Sequence, residues 1–291
     1  MNFNTYLLNK SEALNTIRTR ENTVKQFTEW LKYEEKQLQS IGYNELMEYV
    51  VYCKQKANKV HTIRLKIKSL SVYFEYLISE KELKNNPAEL IKLKGGIRTI
   101  PHNLFASEQL LEIYELQTSY GITEKRNKVL LSLVVFQGVG SRELGMIELK
   151  DVDLTNGKIY IPGSRTANGR TLDLKVQQLL LFQNYIIDVR STILKETGKT
   201  SDYFLVNQGK GKNLMTNVIS VLIRKLRYKY PQLKTLQQIR QSVIAEWLKK
   251  EGLRKSQYMA GHRYVSSTER YSVDKVEGLK KSLKMYYVLK K

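Results

Sequence analysis

Near its C-terminal end this 291-residue chain reads Gly261-His262-Arg263, then Ser267-Thr268-Glu269-Arg270-Tyr271, which sets a histidine and a tyrosine nine positions apart. Arg240 lies upstream, and Arg142, in Gly140-Ser141-Arg142-Glu143-Leu144, further upstream still. Together two arginines, a histidine and a tyrosine can bind one phosphate and attack it. Attack of a tyrosine hydroxyl on a phosphodiester gives a covalent phosphotyrosine and frees a hydroxyl on the other fragment. The bond energy is conserved, so the strand can be rejoined without ATP. Charge grows on the non-bridging oxygens in the transition state, and arginine's planar, permanently charged fork can donate two hydrogen bonds to them. The chain has 19 tyrosines, so it is the position after His262 that singles out Tyr271.

The elements that must position these residues divide the chain. The first third reads as helices: Val24, Phe27 and Leu31 recur at helical spacing, as do Leu46, Tyr49, Val50 and Cys53. The clearest stripe is Ile63, Ile67, Leu70, Phe74 and Leu77, with Thr62 expected as its N-cap. Arg64, Lys66 and Lys68 fall on the other faces of that helix and are candidates to grip a duplex. Asn85-Asn86-Pro87 closes the pattern. The basic, glycine-bearing run from Lys92 to Arg98 reads as a linker, and a new helix is expected near Ser107. Lys128 to Phe136 reads as a buried helix leading into Gly138 and Gly140. Lys158–Pro162 and Thr171–Leu174 read as two strands of a hairpin, and Tyr203–Val206 as a further strand. A helix capped by Thr216 and another around Val243–Leu248 follow, then an apolar-patterned tail from Leu279 to Leu289. These readings place a helical domain at residues 1–94, a linker at 95–104 and a second, mixed domain at 105–291.

Composition narrows the partner. Lys and Arg number 49 against 28 Asp and Glu, a net charge of +21, which points to a polyanion because basic side chains neutralise phosphates and release counterions. No basic amphipathic anchor or lipidation signal argues for a membrane surface. No apolar run approaches the roughly 20 residues that span a bilayer. The first residues lack the layout of a secretory signal, so the expected location is the cytoplasm, in association with the nucleoid. Cys53 is the only cysteine, which excludes a disulfide framework and a thiolate zinc site, and its apolar context reads as core. His61, His102 and His262 are too scattered for a histidine metal centre. No aromatic RNA-binding signature is present.

The order of these parts resembles the tyrosine recombinases, the family of phage integrases and Xer-type recombinases, over nearly the whole chain. The Gly-His-x-x-x-x-x-Thr-x-x-Tyr motif is carried by Gly261, His262, Thr268 and Tyr271, with Arg142 and Arg240 at family-like separations. The resemblance implies a mainly helical protein with a small sheet: an N-terminal SAM-like core-binding domain plus a mixed catalytic domain, closing as a C-shaped clamp on DNA. It makes Tyr271 the nucleophile, linked to a 3′-phosphate and leaving a 5′-hydroxyl. Arg142, Arg240 and His262 become the phosphate ligands. It further implies double-stranded DNA with inverted core sites as partner, a homotetramer on synapsed DNA, strand exchange through a Holliday junction, and no metal or nucleotide. Accessory DNA-bending proteins are left open, as is docking of the tail on the same or a neighbouring protomer. Arg263, beside the histidine, is a further candidate DNA contact.

The chain departs from the family pattern at three places. Gln237 stands where the family commonly has a histidine three residues before the second arginine; glutamine can donate to phosphate but is no base near neutral pH. Gly145 stands three residues after Arg142, where the family often has glutamate, so that supporting contact is expected to be lost. The family's general-acid lysine sits in the hairpin, yet between Ile159 and Leu174 there is only Arg165 and Arg170. Arg165 aligns with the lysine, Lys158 and Lys175 being stand-ins, but an arginine gives up a proton poorly. The alternative reading is therefore a catalytically inactive DNA-binding protein on a decayed recombinase scaffold.

Overall fold

The computed structural model describes residues 2–95, 103–209 and 215–272. The chain separates into two compact units, Met1–Arg98 and Thr99–Lys291. The tail read from Leu279 to Leu289 and most of the linker lie outside the described residues.

The first unit is built on four helices: α1 (Phe3–Asn9), α2 (Leu14–Tyr33), α3 (Tyr43–Gln55) and α4 (Val60–Ser79). The apolar stripe on α4 recurs every three or four residues, and all five of its members are buried. They pack with Phe27, Trp30, Leu46, Tyr49, Val50 and Cys53, so the lone cysteine is a core residue. Thr62 does not cap α4. The chain leaves α3 through Ala57 at φ +56°, Asn58 bonds back to the Cys53 carbonyl, and the helix restarts at Val60 with Lys59 as N-cap. Thr62 is thereby already inside the first turn.

The second unit surrounds α6 (Ile122–Gln137), which is buried almost all round, as its near-continuous apolar run requires. It is preceded by α5 (Ser107–Glu115) and followed by the short α7 (Ser141–Leu144). An antiparallel sheet of β1 (Val152–Asp153), β2 (Lys158–Ile161) and β3 (Arg170–Asp173) follows in that order. In the hairpin Ile161 pairs with Arg170 and Ile159 with Leu172, and these four face the core while their neighbours alternate outward. Next come α8 (Val176–Asn184), a π-helical turn (Tyr185–Arg190) and α9 (Ser191–Thr197). Then α10 (Met215–Lys229), α11 (Leu236–Ala260) and α12 (Ser266–Glu269) complete the described part. Thr216 lies inside α10, one residue past Met215.

Tyr203–Val206 is not a strand. Tyr203 makes a single bridge to Glu148, the Phe204 amide donates to the Ile147 carbonyl at 2.9 Å, and the Val206 amide donates to the Tyr185 hydroxyl at 3.1 Å. Phe204, Leu205 and Val206 are buried while Tyr203 is exposed, and the backbone partners are scattered residues, so no ladder forms.

Candidate active site

The folding of α11 on itself brings the distant parts of the sequence together. Arg240 is near its start and Ala260 at its end, about 30 Å apart if the helix ran straight. Instead Gly252, at φ +74° and ψ 174°, breaks the helix into residues 236–251 and 253–260. The second half doubles back, and Arg240 Nη2 donates to the Ala260 carbonyl at 2.7 Å.

Gly261 then ends α11 in the left-handed region at φ +68°. A Cβ there would stand 2.5 Å from Arg170 Nη1 and 2.9 Å from the Asn168 carbonyl, so only glycine fits. The closeness is used: the Asn168 amide donates to the Gly261 carbonyl at 2.9 Å, and Ala167 bridges His262. The hairpin loop thus rests directly on the Gly261-His262 turn.

At the centre is Glu143, 7% exposed. Its carboxylate accepts from the Gly140 amide (2.7 Å), from both terminal nitrogens of Arg170 (2.7 and 3.2 Å) and from Arg240 Nη1 (2.9 Å). Burial alone would push this carboxyl up; the hydrogen bonds and charge of Arg170 and Arg240 outweigh it and hold the group below its ordinary range. Arg240 Nη1 also donates to the Gly138 carbonyl. Of its five N–H donors this leaves Nε–H and one on Nη2 with no partner among the described residues. Burial pulls its pKa down against the charge of Glu143.

His262 Nδ1 is 2.8 Å from the hydroxyl of Thr268, which is fully buried. A hydroxyl donating to Nδ1 sets the tautomer with its proton on Nε2, the nitrogen left to meet a phosphate. Burial, followed by the charges of Arg240, Arg270 and Arg170, pushes the imidazole down to about 4, so it is neutral at neutral pH. The Tyr271 ring stacks on His262 with centroids 6.1 Å apart and planes 11° apart. It is 2% exposed and packs with Ile244, Ala245 and Ala260. Its hydroxyl accepts a hydrogen bond from Arg270 Nη2 at 3.1 Å.

The other sequence candidates lie outside this network. Arg142 is exposed on α7, and its guanidinium has no hydrogen-bond or ion-pair partner among the described residues. Gln237 is exposed in the first turn of α11, and Arg165 is exposed in the loop between β2 and β3. Arg263 is exposed and donates to the Ser164 carbonyl at 3.3 Å. In the first unit, Arg64 and Lys68 are exposed one turn apart on α4, and Lys66 is half-buried on another face. Arg64 is engaged with the carbonyls of Leu93 (2.8 Å) and Gly95 (2.5 Å).

Sequence reasoning missed Glu143, Arg170 and Arg270. The supporting carboxylate expected to be lost at Gly145 comes from Glu143. It stands three residues after Gly140, whose absent side chain would face Glu143 Oε2 at 3.1 Å and Arg240 Nη1 at 3.7 Å. A signal for Arg170 was available: it sits two residues before Leu172 in a strand whose inward positions alternate.

Among the described residues no group of three histidine, cysteine, aspartate or glutamate side chains is placed to hold a metal, and no helix is long and apolar enough to cross a membrane. Comparison with known proteins matches both units. The N-terminal SAM-like domain of phage integrases matches residues 2–81. Tyrosine recombinase XerC of Anoxybacillus flavithermus is 26% identical over 270 residues, covering 91% of this chain and 89% of that protein. The TnP I resolvase of Bacillus thuringiensis is 24% identical over 277 residues, covering 93% of each. Among solved structures, XerH site-specific recombinase bound to a palindromic difH substrate in a post-cleavage complex superposes with a TM-score of 0.74. It is 20% identical and covers 96% of this chain and 82% of that one. A lambda integrase tetramer bound to a Holliday junction gives 0.64 at 15% identity, covering 92% and 74%. The phage integrase model itself spans residues 103–277, well over half the chain and all the residues gathered around Glu143 and Tyr271, and the chain belongs to the phage integrase family.

Proposed function

We propose that this protein is a site-specific tyrosine recombinase that cuts and rejoins DNA strands through a 3′-phosphotyrosine. The observation that carries this reading is the meeting of Arg240, His262 and Tyr271 in one cluster, with two N–H donors of Arg240 unspent. Tyr271 Oη attacks the scissile phosphorus and forms the phosphotyrosine bond, while the bond from phosphorus to the 5′-oxygen breaks. The tyrosine gives up its proton and the 5′-oxygen gains one. Arg240 stabilises the charge on the non-bridging oxygens, and neutral His262 donates from Nε2. Because Tyr271 is 2% exposed, the step requires the tyrosine and the phosphate to be brought together on DNA binding.

Arg142, exposed and free of protein partners, reaches the same phosphate from outside. Gln237 donates beside Arg240. Arg165, at the tip of the hairpin, stabilises the leaving 5′-oxygen. Two protomers bind inverted core sites, with Arg64, Lys66 and Lys68 of the first unit and Arg263 of the second at the DNA backbone. Four exchange strands through a Holliday junction in the cytoplasm, as the lambda integrase tetramer is seen to sit on one.

The test is covalent trapping. Nicked duplexes tiled across the DNA flanking the protein's own gene are incubated with it and run on a denaturing gel. A slow-migrating protein–DNA species, lost in Tyr271→Phe with DNA affinity kept, is expected. Sequence-specific binding with no adduct would overturn the reading in favour of an inactive DNA-binding scaffold.

A further inference from the structure

On the buried side of the cluster with His262 and Tyr271, Arg240 is held by three protein hydrogen bonds and keeps two N–H groups free. A phosphodiester presents two non-bridging oxygens, and Arg240 has two N–H groups to offer. In the DNA-free protein no guanidinium from α7 joins Arg240: residue 140, whose side chain would point at Glu143 and Arg240, is glycine, and Arg142 faces solvent. Arg170 is 1% exposed and committed to Glu143 through both terminal nitrogens.

Arg270 is the remaining cation at the site. It follows α12 directly, is exposed, and reaches inward so that Nη2 lies 3.1 Å from the Tyr271 hydroxyl oxygen. Its guanidinium carbon stands 5.2 Å from the Tyr271 ring centroid. Its charge is also felt at His262, second only to that of Arg240 among the charges acting there. The hydrogen bond to Tyr271 uses one of five N–H donors, and no other partner for the guanidinium is found among the described residues. A phosphorus poised for attack stands about 3–3.5 Å from the attacking oxygen. A nitrogen already hydrogen-bonded to that oxygen therefore has a non-bridging oxygen of the same phosphate within reach of its free N–H groups.

We infer that Arg270 is a catalytic residue: it holds the Tyr271 hydroxyl in the DNA-free protein and, when DNA enters, becomes a guanidinium on the scissile phosphate on the side of the attacking oxygen, beside Arg240 and opposite the solvent-side approach of Arg142. The inference rests on Tyr271 being the nucleophile. Its role differs from that of Arg240. Arg240 is fixed by three protein acceptors and is already in place, whereas Arg270 is exposed and changes partner from tyrosine to phosphate as the complex forms.

The test compares single-turnover cleavage and DNA binding for wild type, Arg270→Ala and Arg270→Lys on two nicked duplexes. One carries the normal scissile phosphate. The other carries a methylphosphonate there, which lacks the negative charge. Arg270→Ala is expected to cut the normal duplex on the order of 10²-fold more slowly, the loss typical of removing one transition-state donor. Binding changes little, Arg270→Lys recovers part of the rate, and on the methylphosphonate the ratio of the wild-type to the Arg270→Ala rate shrinks towards one. Wild-type cleavage by Arg270→Ala would overturn the inference. So would an equal loss on both duplexes, since that marks a residue that only packs the tyrosine. An adduct surviving in Tyr271→Phe, or none from the wild type, removes the underlying reading as well and is told apart by those controls.

Discussion

Replacing Glu143 by alanine tests the architecture of the site more directly than replacing any residue that touches DNA. Its carboxylate is buried and joins the Gly140 amide, Arg170 and Arg240. Removing it leaves two guanidinia close together and largely shielded from water, Arg170 at 1% and Arg240 at 8% exposure. Breaking a buried ion pair from one side costs about 3–5 kcal/mol. The orphaned Gly140 amide would add about 1–3 kcal/mol if water did not reach it. The two losses share one cavity and do not add, so about 3–5 kcal/mol is expected in all. That is a large part of the roughly 5–15 kcal/mol that holds a typical domain. The chain has two tryptophans, Trp30 in the first unit and Trp247 in the second, so in a Trp30→Phe background urea unfolding followed by fluorescence reads the second unit alone. Glu143→Gln keeps acceptors but not the charge and should lose less. Because the carboxyl is held below its ordinary range, its contribution is present above the ordinary carboxylate pKa and lost as pH falls through the depressed value. The advantage of wild type over Glu143→Gln should therefore disappear in acid. A loss below about 1 kcal/mol for Glu143→Ala would refute the reasoning, because the arginines would then be held by something else.

Gly261→Ala should destabilise the second unit by more than the ~1–2 kcal/mol of a left-handed alanine, because its Cβ meets Arg170 and the Asn168 carbonyl. Gly198→Ala, at φ +63° with open space around it, should cost only the backbone part, and equal losses in the two variants would refute the contact argument. His262 is held down to about 4, so the unfolded chain binds its proton first: stability is full above about 6.5 and lost as pH falls towards 4. After allowance for partial exposure this is about 1–2 kcal/mol, read as the difference in pH dependence between wild type and His262→Gln. Arg165→Ala should slow cleavage of a normal duplex more than one with a 5′-phosphorothiolate leaving group, which needs no acid; equal slowing would remove Arg165 from the leaving group.

The parts of this protein legible in its sequence are those where one local rule decides the outcome. The α4 stripe, the buried α6 run and the hairpin each follow from a periodicity of apolar residues, and each is where the pattern placed it. The motif from Gly261 to Tyr271 is legible for the same reason, being short enough for one turn to set its geometry. What escaped depends on contacts across long separations. Glu143 looks like an ordinary acid beside Arg142, and nothing local says that it will face Arg170, 27 residues on, and Arg240, 97 residues on. Position along α7 decides it: as the third helical residue it reaches back to the Gly140 amide and so points inward, while Arg142 one step earlier points out. The fold-back of α11 hangs on Gly252, which reads in sequence as one weak spot in a helical run. Yet without that turn Arg240 and His262 would sit at opposite ends of a rod, and the cluster would not form. The residues proposed to react could thus be named from type and spacing. Their support, a buried carboxylate shared by two arginines and a glycine that reverses a helix, could not, because its physics is tertiary and electrostatic and leaves no period in the chain.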